Sequence, residues 1–177
     1  MTPEQLQTCL DAAITAVRQE RPSLALARVH ERSTAHRLAV QMEAHFPGWN
    51  IDCDYDRDGE DTKRLLNLSP CGGRTTDRIL PDIIVHHRGE SGREHNLLVI
   101  ELKKDAGEDP CDAEKLRRFT DHAGGYQYQF GLYLNINDGA FDATWYVDGA
   151  SCGNTATGRP VVDSNYGTND LSPQHQA

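Results

Sequence analysis

Residues 79–103 read ILPDIIVHHRGESGREHNLLVIELK. The stretch contains two apolar runs rich in branched side chains, 79–87 and 96–103, and such runs are typical of β-strands. Between them lie Gly89 and Gly92, which mark a turn. The stretch therefore predicts two strands joined by a turn, and the rest of the fold is interpreted outward from this hairpin.

This hairpin also predicts where its charged residues meet. In an antiparallel pair, residues face each other in strictly opposite order, so pairing His87 with Asn96 places Asp82 opposite Glu101. Glu101 and Lys103 are two residues apart and therefore share one face of the sheet. Three charged side chains thus converge on a small patch within otherwise apolar strands.

A patch of this kind needs an explanation, because burying an unpaired charge is costly. Two facing carboxylates repel each other, and a hard divalent cation with oxygen ligands removes that repulsion. The pattern therefore indicates a metal site built on the strands. A structural ion pair, in which Lys103 neutralises one carboxylate, is the alternative interpretation.

The rest of the chain is read from its hydrophobic periodicity. Apolar residues that recur every three or four positions predict helices, and apolar residues that alternate with polar ones predict strands. Thr2 and Gln5 form a capping box at the start of the first helix, and Glu31 falls within the apolar stripe of the second. In chain order, the predicted elements are a helix over 1–20, a helix from Ser23 to Pro47, a strand over 49–55, a long polar loop over 56–78, the two strands of the hairpin, a helix from Asp109 to Gly124, a strand over 126–136 and a short edge strand over 143–147.

Length and composition predict one globular domain. The chain has 177 residues, of which 37% are hydrophobic and 25% are charged, and its net charge is −9. This composition is not that of a disordered chain. With the order of elements, it predicts an α/β domain over 1–148 whose mixed central sheet is flanked by helices. From residue 149 onward small and polar residues dominate, which predicts a mobile C-terminal tail over 149–177.

The cellular location is predicted from features that the sequence lacks. The longest apolar runs are far shorter than the roughly 20 residues that span a bilayer, so no membrane partner is expected, and the first residues do not resemble a secretory signal. The five cysteines are odd in number and form no Cys-x-x-Cys pair. This predicts neither a disulfide framework nor a zinc site, and it favours a reduced, cytoplasmic location.

The motif and the order of elements resemble a known superfamily. Pro81-Asp82, separated by eighteen residues from Glu101-Leu102-Lys103, is similar to the signature of the PD-(D/E)XK nucleases, which share the restriction-endonuclease-like fold. Their core runs α, β, β, β, α, β. That order matches about 23–136 and makes the helix over 1–20 an N-terminal addition. Glu31 resembles the acidic residue that many members carry in the helix before the first strand.

The resemblance implies a metal-dependent nuclease that hydrolyses DNA phosphodiester bonds, in restriction, phage defence, mobile-element biology or repair. Its cofactor would be Mg²⁺, with Mn²⁺ as a substitute. Asp82 and Glu101 would bind the metal together with the backbone carbonyl of Leu102, and Glu31 would contribute directly or through water. Lys103 would orient the attacking water or stabilise charge on the phosphoryl oxygens.

Four further basic residues are weaker candidates for nucleic-acid contacts: Lys63, Arg64, Lys104 and Lys115. Each also fits a solvated surface charge, and the net negative charge argues against binding through the whole surface. The main alternative function is a catalytically inactive nuclease-like module that binds nucleic acid or a partner protein. A hydrolase of another phosphoester is a further alternative. A homodimer is an option, because cutting both strands often needs two active sites.

Overall fold

A six-stranded β-sheet with helices packed on it forms the fold, as seen in a computed structural model. The structure describes residues 1–20, 30–65, 79–104, 107–137 and 140–154. Over these ranges the helices are α1 (Pro3–Glu20), α2 (Glu31–Glu43) and α3 (Pro110–Thr120). The strands are β1 (Asn50–Cys53), β2 (Arg57–Asp58), β3 (Asp61–Thr62), β4 (Ile83–His86), β5 (Asn96–Lys104), β6 (Phe130–Asn137), β7 (Ala140–Val147) and β8 (Ala150–Asn154).

The sheet is mixed, and its strands lie in the order β1-β4-β5-β6-β7-β8. Strands β5 and β6 are parallel, whereas the other neighbours are antiparallel. Parallel neighbours need a crossover connection, and α3 supplies it. Strands β2 and β3 form a separate two-stranded hairpin. The predicted α/β class, with a mixed central sheet flanked by helices, is confirmed.

The two faces of the sheet pack against different helices. On one face, Leu98, Ile100 and Leu102 of β5 belong to a core cluster with apolar residues of α1 and α2. On the other face, Val99 belongs to a second cluster with apolar residues of α3. Since side chains alternate along a strand, Glu101 lies on the same face as Val99, beneath α3.

The register of the central hairpin agrees with the register predicted from the sequence at one end only. Ile83 pairs with Ile100 and Val85 pairs with Leu98, as the predicted alignment requires. A register shift then follows Val85, and His86 rather than His87 pairs with Asn96. The predicted His87 pairing is therefore wrong by one residue, because a bulge places an extra residue near the turn. The end that carries the charged residues keeps the predicted alignment.

The helix ends test two sequence predictions. The capping box of α1 is confirmed, because Thr2 N–H donates to Gln5 Oε1 over 2.9 Å and Gln5 N–H donates to Thr2 Oγ1 over 3.3 Å. The predicted start of the second helix near Ser23 lies outside the described residues. Within the described residues, the corresponding helix α2 begins at Glu31, with His30 as its extended N-cap. Glu31 is thus in the first turn, on the same face of the helix as the buried Ala35, Leu38 and Met42.

The C-terminal part of the sheet is larger than the sequence predicts. Strand β7 covers eight residues and has neighbours on both sides, so the predicted short edge strand over 143–147 is an interior strand. The predicted tail is wrong for residues 150–154, which form β8. The reason is a tight hairpin turn at Asp148-Gly149, where both residues have positive φ angles of 48° and 78°. Residues 155–177 lie outside the described part.

Two further predictions concern cysteines and membranes. Cys9, Cys53 and Cys152 are free thiols, but Cys111 is disulfide-bonded, so the prediction of reduced cysteines is wrong at that position. In the described ranges, no helix has both the length and the apolar character that a membrane span requires.

Gly131 of β6 lets α3 approach the sheet closely. A Cβ atom there would lie 3.0 Å from Thr120 Cγ2 and 3.1 Å from Tyr146 Cβ. We expect Gly131→Ala to lower the free energy of unfolding by about 1–3 kcal/mol, because a packed core resists an added methyl group. Urea denaturation measures this change. Gly125→Ala is the control, since its Cβ would have no atom within 4 Å; equal midpoints for both variants would contradict the prediction.

Candidate functional site

Two carboxylates lie side by side at the end of the central hairpin. Glu101 is on β5 and is only 3% exposed, and Asp82 immediately precedes β4. Asp82 Oδ2 accepts a hydrogen bond of 2.8 Å from the backbone N–H of Leu102. This bond ties the start of β4 to β5 beside Glu101. The group of Leu102 that contacts Asp82 is thus its amide; metal binding by its carbonyl stays a prediction.

Helix α3 adds two charged side chains to this pair. Asp112 and Lys115 are three residues apart and therefore lie on one face of the helix. Lys115 Nζ is 2.5 Å from Asp112 Oδ1 and 3.5 Å from Glu101 Oε1. Asp112 is 3% exposed. The face of α3 that covers the sheet therefore brings an acid and a base to Glu101.

Lys103 approaches the same group from β5. Its Nζ is 3.1 Å from Asp112 Oδ2 and 3.9 Å from Glu31 Oε2. Burial lowers the pKa of the Lys103 ammonium. The carboxylates of Asp112 and Glu31 raise this pKa, and their effect outweighs that of burial, so the net shift is upward. The carboxylates in contact with Lys103 come from the two helices, and Asp82 adds a weaker effect of its charge.

Glu31 lies at the rim of the site. Its Oε1 accepts a long hydrogen bond of 3.4 Å from the backbone N–H of Lys104, and its side chain is 37% exposed. Its position at the start of α2 allows it to reach the end of β5. Glu31 thus contacts Lys103 and the backbone of Lys104, and its role in metal binding stays a prediction.

Burial and like charges raise the pKa of both central carboxyl groups. For Glu101 burial is the main cause of a pKa well above the usual range; the Lys115 ammonium lowers it, while Asp112 and Asp82 add to the increase. For Asp82 burial again dominates, and the Leu102 hydrogen bond opposes it. Without a cation, this pair of carboxyl groups therefore favours protonation.

The charge balance of the site favours a divalent cation. With every group ionised, the carboxylates outnumber the ammonium groups by two, which matches the charge of one Mg²⁺. The carboxylates are Asp82, Glu101, Asp112 and Glu31, and the ammonium groups are Lys103 and Lys115. In addition, Oε1 of Glu101 is buried and accepts no hydrogen bond from the part of the chain that the structure describes.

The donor set is small for a metal site. Within the described ranges, no group of three or more His, Cys, Asp or Glu side chains is placed to hold a metal ion. Mg²⁺ differs from Ca²⁺ or Zn²⁺ in this respect, because it is usually bound through one or two carboxylates and keeps several waters. The pair formed by Asp82 and Glu101 fits that requirement, although it does not form a complete cage.

The weaker basic candidates have different surroundings. Lys63 is fully buried at 0% exposure and donates to the carbonyl of Arg57, and its prediction as a nucleic-acid contact is wrong for this reason. Arg64 is exposed, and its backbone contacts the Tyr126 hydroxyl. Lys104 is partly exposed at the end of β5. Lys115 contacts Glu101, one of the two central carboxylates.

A polar cavity of about 400 Å³ lies beside the site, over the neighbouring strands of the sheet. Its lining consists of Gly107, Glu108, Tyr133, Asn135, Asp142, Thr144 and Ser151. The pairing of Lys103 with Asn135, and of Asn135 with Asp142, places this cavity beside the site on the neighbouring strands. The described residues of its lining include no basic side chain.

Sequence reasoning missed Asp112. Asp112 lies in the first turn of the helix, where an acidic residue is already explained by the helix dipole. A stronger signal was present, because Asp112 and Lys115 share one helix face with the apolar residues Leu116 and Phe119. Charged side chains on the apolar face of a crossover helix are expected to contact the strand that the helix covers.

We compared the chain with protein-family models, curated proteins and solved structures, and none of them matches. The geometry of the site and the resemblance of its motif are therefore the basis for a functional proposal.

The buried Glu101 carboxylate predicts a pH-dependent stability in the absence of divalent cations. Its raised pKa means that the unfolded state loses its proton first, so stability falls as pH rises above about 4.3. We expect Glu101→Gln to remove this loss and to be more stable than wild type at pH 8 by about 1 kcal/mol. Urea denaturation in EDTA at pH 5 and pH 8 measures both effects.

The control for this experiment is Glu60→Gln, because Glu60 is exposed. It should follow wild type at both pH values. A Glu101→Gln protein with the same pH dependence as wild type would contradict the assigned cost of the buried charge.

Proposed function

We propose that the chain is a metal-dependent nuclease that hydrolyses DNA phosphodiester bonds. The observation that supports this most directly is the charged cluster at the start of β4 and the end of β5. Asp82 and Glu101 lie together there, Lys115 contacts Glu101, and Asp112 links Lys115 to Lys103. The topology is also consistent with it. Strands β1, β4 and β5 are antiparallel neighbours, and α3 then leads to the parallel β6, which is the order of a restriction-endonuclease-like core.

The roles of the residues follow from their chemistry. A bound Mg²⁺ would supply Lewis acidity toward the phosphate and a more acidic water. Asp82 and Glu101 would provide its oxygen ligands, with the Leu102 carbonyl as a further candidate. Lys103 is partly exposed and remains charged, so its ammonium can donate hydrogen bonds to the attacking water or to a phosphoryl oxygen. Charges that are already oriented stabilise the transition state without reorganisation.

The substrate class is inferred from the charges around the site. A phosphodiester carries one negative charge, which two ammonium groups and a divalent cation can stabilise together. The net charge of −9 means that affinity for DNA must come from local contacts and bound cations, because the overall charge of the protein repels polyanions. Arg64 and Lys104 remain candidates for such contacts.

Plasmid cleavage tests the proposal. We expect the wild-type protein to convert supercoiled plasmid to nicked or linear DNA with Mg²⁺ or Mn²⁺. Lys103→Ala should lower the rate at least about 100-fold, the effect of removing one group that stabilises transition-state charge. Gel electrophoresis of time courses measures both rates.

A matched control removes a positive charge elsewhere. Arg57 is exposed, and its hairpin lies at the opposite end of β4 and β5, where Gly59 N–H donates to the Glu90 carbonyl. Arg57→Ala should cleave like wild type. If wild type and Lys103→Ala both leave the plasmid intact with either metal, the inactive nucleic-acid or protein-binding module replaces the nuclease proposal; a panel of other phosphoesters tests the remaining alternative.

Metal binding is tested separately by thermal melting. A ligand that binds only the native state at 100 times its Kd stabilises it by about 2.7 kcal/mol, which raises Tm by roughly 2–4 °C for each kcal/mol. We expect Mg²⁺ to raise the Tm of wild type and not that of Asp82→Ala. Asp61→Ala, which removes an exposed carboxylate, should respond like wild type. An equal increase for Asp82→Ala would contradict its assignment as a ligand.

A further inference from the structure

One buried carboxylate joins the two lysines of the site. Asp112 Oδ1 is 2.5 Å from Lys115 Nζ, and Asp112 Oδ2 is 3.1 Å from Lys103 Nζ. The Asp112 side chain is 5% exposed, whereas the lysine side chains retain 20% and 27% exposure. The carboxylate is therefore more buried than either lysine side chain that it contacts.

The bridge connects two different elements of the fold. Lys103 belongs to β5, while Asp112 and Lys115 belong to the first two turns of α3. The two oxygens of a carboxylate are rigidly spaced, so one Asp112 side chain determines where both ammonium groups lie relative to each other. Long lysine side chains are otherwise flexible, and an exposed lysine would need to be ordered during the reaction.

The surroundings of Asp112 argue for a role through the lysines. Its shortest ion-pair contacts are to lysines, and the Leu102 amide that ties the hairpin to the site donates to Asp82. Asp112 also lies in the first turn of α3, the crossover helix that leads to the parallel strand β6. A carboxylate that is more buried than the ammonium groups it contacts can hold both of them in place.

We propose that Asp112 is a positioning residue that orients Lys103 and Lys115 toward the substrate phosphate, and that it neither binds the metal nor contacts the substrate. This inference rests on the proposed nuclease function. It predicts that loss of the Asp112 charge affects the chemical step, because small displacements of oriented groups reduce rates strongly. Substrate binding and metal binding are expected to remain.

The test compares Asp112→Asn with wild type in cleavage kinetics and in thermal melting with Mg²⁺. We expect kcat to fall by about 10–100-fold with little change in KM, and the Mg²⁺-induced increase in Tm to persist. In the Lys115→Met background, Asp112→Asn should cause a smaller loss of kcat than in wild type, because residues that act together are not additive.

Asp112→Glu provides a second variant that keeps the charge. It moves the carboxylate by one methylene group, so kcat should fall, though less than in Asp112→Asn. If Asp112→Asn does not fold, Asp112→Glu decides: wild-type kcat would overturn the proposal, and a reduced kcat with an intact Mg²⁺ response would support it.

The outcomes separate this inference from the proposed function. Absence of cleavage by wild type would overturn the nuclease proposal and the role of Asp112 with it. Cleavage by wild type and Asp112→Asn at equal rates would overturn the positioning role alone. Loss of the Mg²⁺ response in a folded Asp112→Asn protein would also overturn that role, since Asp112 would then be a metal ligand.

Discussion

The carboxylate of Glu101 is placed where the fold would otherwise put an apolar side chain. It occupies an inward position on β5, beneath α3, and is almost completely buried. Burial of an ionised group is costly unless protons, cations or hydrogen bonds compensate for it. The neighbouring charges can be understood as responses to this constraint. Lys115 approaches from the helix above, and Asp82 lies beside Glu101, immediately before the adjacent strand β4.

This arrangement allows the site to exist in different charge states. Without a metal, burial and the neighbouring carboxylates favour the protonated forms of Glu101 and Asp82. With a divalent cation, the excess negative charge is neutralised and both groups can ionise. Metal binding would therefore release protons, which is the usual coupling between ligand protonation and metal affinity. The same coupling links the stability of the fold to the occupancy of the proposed site.

Several features of the fold followed from local patterns. Side chains alternate between the two faces of a strand, so residues 96–103 predicted a strand with one apolar face and one charged face. The antiparallel pairing rule then aligned its charged end with Asp82. The turn end was misaligned, because a bulge is a local irregularity without a distinct signal in this segment. The strand over 150–154 was missed because its composition resembles that of a tail, although Asp148-Gly149 is a recognised hairpin turn. Lys63 was expected at the surface but is covered by tertiary packing.

The sequence by itself determined the strand periodicity, the helix capping at Thr2 and the juxtaposition of Asp82 with Glu101. These features depend on residues that are near in sequence or on one antiparallel pairing. Only the tertiary structure decided that Asp112 and Lys115 complete the charged group. Their contribution depends on the face of α3 that packs against β5, and that orientation follows from the complete core formed by α3 with β6 and β7. Spacing along the chain does not contain this information, because a crossover helix can rotate about its axis without changing its sequence pattern.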